Sequence, residues 1–251
     1  MTGKWVVLSA EKSDQAASIL MFLLKEFSRL VGSDIMYNED CTVYNDPHAE
    51  CPMLLTGKSP VCIRLVQSSY LYWAQTVYQL SHEMCHYAFR QYKENKEYTL
   101  HWFEEIVCEA MSLYSLRFIS SNWRQCSLSK LNPQYDNSIE TYLKNVLSQT
   151  STGGLKDCDT VAKLTEYEKE RIAESKRESI VAERNITYSA LSSNPMELRC
   201  LLDYTKHIES NGVVIDFDGW IQDAPCNILC VLKQIQPVKC SSNKTAMTHT
   251  H

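Results

Sequence analysis

The chain has 251 residues, is 44% hydrophobic, and carries 25 basic against 30 acidic side chains for a net charge of -5. That apolar share can bury a core in one large or two modest domains. The acidic balance, with no clustered basic patch, argues against a nucleic-acid partner or an anionic membrane surface, and no run approaches the roughly eighteen apolar residues of a membrane span.

The first element is a strand, Trp5 to Ser9, followed by a helix from Ser13 to Val31. The short apolar stretch Ser18 to Leu24 is preceded by Glu11, Asp14 and Gln15, where a secretory signal needs cations. Eleven cysteines, an odd count with no C-x-x-C pair and no export signal, fit thiols kept reduced in the cytoplasm. The sequons at Asn185 and Asn243 then carry no meaning.

Extended segments are expected near 34 to 44 and 61 to 66. The second, Val61-Cys62-Ile63-Arg64-Leu65-Val66, is rich in β-branched residues and bounded upstream by Lys58-Ser59-Pro60. From Tyr70 to Arg90 there is neither Gly nor Pro, and Tyr70, Trp73, Val77, Leu80, Met84 and Ala88 recur at helical spacing. Late on this helix stands His82-Glu83-Met84-Cys85-His86. Residues four apart share a helix face, so both imidazoles can reach one cation. Glu83 projects about a quarter turn away, close enough to act on a water at the metal without being a ligand. Cys85 reads as a small packed hydrophobe.

A catalytic zinc usually takes three protein ligands, so a third must follow. After the polar connection Gln91 to Thr99, a second helix beginning near Leu100 carries Glu104, Glu105 and Glu109. Glu105 lies nineteen positions past His86, and Glu109 follows one turn later on the same face. Glu104, one position away, competes with Glu105 as the ligand, and His101 reads as a surface or capping residue.

The polar, glycine-bearing stretch Ser148 to Asp159 divides the chain into an α+β part over 1–150 and a mainly helical part over 151–240, with 241–251 a disordered tail. Thr160 to Arg184 is densely charged, with Glu166 and Lys169, Glu168 and Arg171, and Glu174 and Arg177 at i, i+3, which suits a solvated helix face. A helix from Pro195 to Ser210, a short strand Val213 to Phe217 and a helix Asn227 to Ile235 complete the reading.

The run His82-Glu83-x-x-His86-x18-Glu105 resembles the gluzincins, the thermolysin-like and aminopeptidase-like zinc peptidases. The resemblance covers Val61 to Leu116. It departs from the family pattern where Glu104 replaces the usual Asn and Glu109 the commoner Asp. A looser resemblance is to small intracellular proteins of the ImmA and IrrE type. The gluzincin likeness implies a zincin-like α+β fold with a small mixed sheet packed on the active-site helix. It also implies one zinc per chain held by His82, His86 and Glu105, with Glu83 as general base and Glu109 orienting a histidine. The substrate would be a peptide or protein. Tyr204 and His207, three apart on the expected helix, are the candidate donors to a tetrahedral oxyanion by their chemistry. The strand Val61 to Val66 serves either as an edge that holds substrate by strand addition or as an interior strand that packs. The competing expectation is a regulatory or interaction protein that keeps a zinc site without hydrolysis.

Overall fold

The structure, a computed structural model, describes residues 3–93, 99–151, 154–173 and 177–238. The side chains of Arg171 and Arg177, the residue Glu174 and the tail from Ser241, with the pairings and disorder expected for them, lie outside the described residues.

The fold is α+β. Among the described residues it holds a four-stranded mixed sheet, β1 (Trp5–Val7), β2 (Cys41–Asn45), β3 (Met53–Leu55) and β4 (Val61–Leu65), in the order β1-β2-β4-β3. β1, β2 and β4 run parallel, and β3 closes the far edge antiparallel to β4. The helices are α1 (Ser13–Val31), α2 (Ser33–Met36), α3 (Trp73–Tyr92), α4 (His101–Ser121), α5 (Asp136–Leu147), α6 (Val161–Ala173), α7 (Val181–Ser193), α8 (Leu198–Leu201), α9 (Phe217–Asp223) and α10 (Asn227–Ile235). No described helix is long and apolar enough to cross a membrane.

α1 buries Ala16, Ile19, Leu20, Leu23, Leu24, Phe27, Leu30 and Val31, a stripe at three- and four-residue spacing, and packs on α3. It ends at Gly32, whose φ of 110° is costly for a residue with a Cβ. The chain then makes the single helical turn of α2, so the extended segment expected from residue 34 begins only at Cys41.

β4 alternates buried Val61, Ile63 and Leu65 with half-buried Cys62 and Arg64, the period of a pleated strand. It lies between β2 and β3, which excludes the edge-strand reading of Val61 to Val66 and leaves β3 as the edge on that side. Just beyond β4, the Gln79 side chain accepts from Val66 N at 2.9 Å and donates to Val66 O at 2.8 Å. These two bonds fasten the end of the sheet to α3 one turn before His82.

α3 and α4 make the most extensive helix pair, and α4 is enclosed further by α5, α6 and α7. α4 is therefore buried on most of its circumference, as its near-continuous apolar sequence requires. Its first turn has no side-chain cap of its own. Glu168 of α6 supplies one, accepting from His101 N at 2.6 Å and Trp102 N at 2.9 Å, and it also meets the His101 ring at 2.9 Å.

Two expectations for the second part fail. Pro195 to Ser210 is not one helix but a 3-10 turn (Pro195–Glu197), α8 and a second 3-10 turn (Tyr204–His207). The chain leaves the helix at Leu202, tightens into the 3-10 turn after Asp203 and is extended by Ile208, where φ is -80° and ψ is 130°. Val213 to Phe217 forms only the isolated bridge Ile208 to Ile215, and Phe217 already begins α9.

Candidate metal centre

His82 and His86 lie on consecutive turns of α3, and Glu105 faces them from the first half of α4. Their Nε2 atoms stand 3.2 Å apart. Glu105 brings Oε1 to 3.2 Å from His86 Nε2 and Oε2 to 3.5 Å from His82 Nε2. Among the described residues these three form the one group of three or more His, Cys, Asp or Glu side chains that could hold a metal ion. The spacing is informative. Tetrahedral ligands at about 2.0–2.1 Å from a common cation are about 3.3–3.4 Å from one another. Two imidazole nitrogens and a carboxylate already sit at nearly that separation, so the donor set fits a small divalent cation without rearrangement.

The outward nitrogens explain why the inner ones converge. His86 Nδ1 lies 3.3 Å from Glu104 Oε2, and His82 Nδ1 lies 3.3 Å from Glu109 Oε1, the latter off-angle for a hydrogen bond. A carboxylate at Nδ1 holds the ring so that the Nε2 lone pair points inward. Each histidine thus has its own acidic partner, one residue before and one turn after Glu105 on α4. Glu104, which the sequence left as a rival ligand, stands behind His86 rather than among the three converging groups.

These carboxylates are themselves held. Glu104, 2% exposed, accepts from Lys93 Nζ at 2.7 Å and from the Tyr204 hydroxyl at 2.5 Å. Glu109, fully buried, accepts a short hydrogen bond from the Tyr78 hydroxyl and has the Arg184 guanidinium 3.8 Å away. Arg184 reaches in from α7, the same Nη1 donating to Gln149 Oε1 at 3.2 Å while Nη2 donates to Val146 O at 2.9 Å. Burial alone would push the Glu104 carboxyl up, but the hydrogen bond to His86 and the charge of Lys93 outweigh it and hold its pKa below the usual value. Burial likewise opposes charge on His86, yet hydrogen bonds to Glu104 and Glu105 and the nearby charges of Glu105 and Glu83 hold its pKa well above an ordinary imidazole's.

Glu83 is 3% exposed, and no hydrogen bond or ion pair engages its carboxylate among the described residues. A buried carboxylate is costly unless something compensates it. Glu83 follows His82 directly on α3, and its negative charge favours the protonated form of His86. The His82 side chain is 3% exposed, whereas those of His86 and Glu105 keep 17% and 20%, so the centre opens to solvent on the His86 and Glu105 side.

The other residues expected from sequence fall elsewhere. The Tyr204 hydroxyl accepts from Leu100 N at 3.2 Å and donates to Glu104, so Tyr204 meets the centre through that carboxylate. The His207 ring stacks on Trp220 with centroids 4.8 Å apart, and desolvation lowers its pKa; it is not among the converging groups. Sequence reasoning missed Tyr78, Lys93 and Arg184. Tyr78 lies one turn before His82 on the same face, a legible cue. Lys93 and Arg184 carry none, because their roles exist only once α3, α4 and α7 pack together.

No family model, curated protein or solved structure matches this chain.

Proposed function

We propose that the protein is a metallopeptidase of zincin-like, gluzincin type that hydrolyses a peptide or protein substrate in the cytoplasm, with one zinc per chain on His82, His86 and Glu105. The observation that carries this reading is the convergence of two Nε2 atoms and one carboxylate at near-tetrahedral spacing, with the unengaged, buried Glu83 carboxylate on the residue that follows His82. Zinc at such a site supplies a Lewis acid and an acidified water.

The chain's own residues account for the rest. Glu83 accepts a proton at its carboxylate as water attacks the scissile carbonyl and returns it to the leaving amine nitrogen. Glu104 and Glu109 keep the two rings oriented, and Lys93, Tyr204, Tyr78 and Arg184 keep those carboxylates in place. Tyr204 in this reading is a positioning residue acting through Glu104. Substrate enters on the His86 and Glu105 side, where the centre is open.

Glu83→Gln tests the reading directly. Turnover of a mixed peptide library is expected to fall by about 10²–10⁴-fold while zinc content stays at one per chain. Equal hydrolysis by both proteins, or none by the zinc-loaded wild type, would overturn catalysis and favour a non-hydrolytic regulatory protein that retains its metal.

A further inference from the structure

The helical second part contains a pair of thiols that the centre does not use. Cys200, in α8, and Cys226, immediately before α10, place their Sγ atoms 2.7 Å apart, with both residues half-buried. Even carbon atoms in packing contact stay about 3.5–4.0 Å apart, whereas a disulfide bond is about 2.05 Å long. Both cysteines are free thiols here.

The backbones carrying them are already fixed. Glu197, three residues before Cys200, caps α10 by accepting from Asn227 N at 3.1 Å and Ile228 N at 2.8 Å, the two residues that follow Cys226. Arg199 donates to Val31 O at 2.9 Å, and Leu198 and Leu201 are fully buried on either side. Two thiols held this way have a high effective concentration for one another.

We infer that Cys200 and Cys226 are a dithiol site that closes to an intramolecular disulfide on reaction with a small-molecule disulfide. The Cys200 thiolate attacks one sulfur of the small disulfide and displaces the other as a thiolate. The Cys226 thiolate then attacks the Cys200 sulfur and releases the second small thiol. The protein loses two protons and two electrons, and the small disulfide is reduced to two thiols. The order follows from the environment: the hydrogen bond from Cys226 lowers the Cys200 pKa and raises that of Cys226 itself. Cys85 and Cys108 also hydrogen-bond to each other, but both are fully buried, out of reach of an oxidant. The closed form would tie the segment leading to Tyr204 covalently to the start of α10.

The test uses the full-length protein, reduced, freed of reductant and equilibrated in glutathione buffers from reducing to oxidising. After thiol alkylation and digestion, peptides are read by mass. The expected product is a Cys200 to Cys226 linked pair lighter by two hydrogens, appearing at a ratio of oxidised to reduced glutathione about tenfold lower than any adduct on the exposed Cys230. Cys226→Ser is expected to stop at a glutathione adduct on Cys200. The inference is overturned if both thiols stay alkylatable until Cys230 reacts, or if each carries its own glutathione. The wild-type map decides the matter even if the variant does not fold. Zinc content and hydrolysis are not part of the readout, so this result stands apart from the peptidase reading.

Discussion

α4 and α6 both carry glutamates within a turn or so of one another, and the packing around them gives the same residue type opposite work. On α6, Glu166 and Lys169 pair at 3.4 Å with side chains 67% and 66% exposed, an arrangement worth little to stability. On α4, Glu104 and Glu109 are buried, and each meets a histidine on one side and a tyrosine on the other, with a base nearby. Charge that would be solvated on α6 becomes positioning chemistry on α4, because α3, α5, α6 and α7 wall it off from water. Glu168 links the two, since it belongs to α6 yet turns inward to cap α4.

That contrast can be broken in four places. Lys93→Met leaves the buried Glu104 carboxylate without its cation and should cost about 3–5 kcal/mol of stability, read by denaturant unfolding; a loss near zero would mean that the Lys93 to Glu104 pair is far more solvated than its 2% exposure indicates. Tyr204→Phe removes a hydrogen bond that reaches His86 only through Glu104. Its expected effect is a zinc dissociation constant about tenfold higher by chelator competition, with the cobalt-substituted spectrum shifted. Glu168→Gln weakens the cap on α4 and should cost about 1 kcal/mol, seen as a lowered thermal midpoint. Lys169→Ala, the exposed counterpart of Lys93→Met, should change stability by less than about 0.5 kcal/mol.

Much of the centre was legible because helical spacing is local. The positions of His82, Glu83 and His86 on α3, and of Glu105 and Glu109 on one face of α4, follow from 3.6 residues per turn, and the structure brings the three proposed ligands together. What sequence could not choose was between Glu104 and Glu105, because their difference lies in how α4 is rotated against α3. The same limit hid Arg184 and Lys93, and it gave Tyr204 the wrong setting: a tyrosine on a supposed amphipathic helix looks available, whereas here its hydroxyl is engaged by Glu104 and Leu100. The run Val61 to Val66 was read correctly as a strand, but its place in the sheet depends on β3, whose three residues carry little pattern of their own.

The most direct measurement is an anomalous difference map at the zinc absorption edge, from crystals of natively purified protein. One peak per chain, about 2.0–2.2 Å from His82 Nε2, His86 Nε2 and a Glu105 oxygen, is the predicted result. A map with no peak there, and the two rings turned away from Glu105, would contradict it.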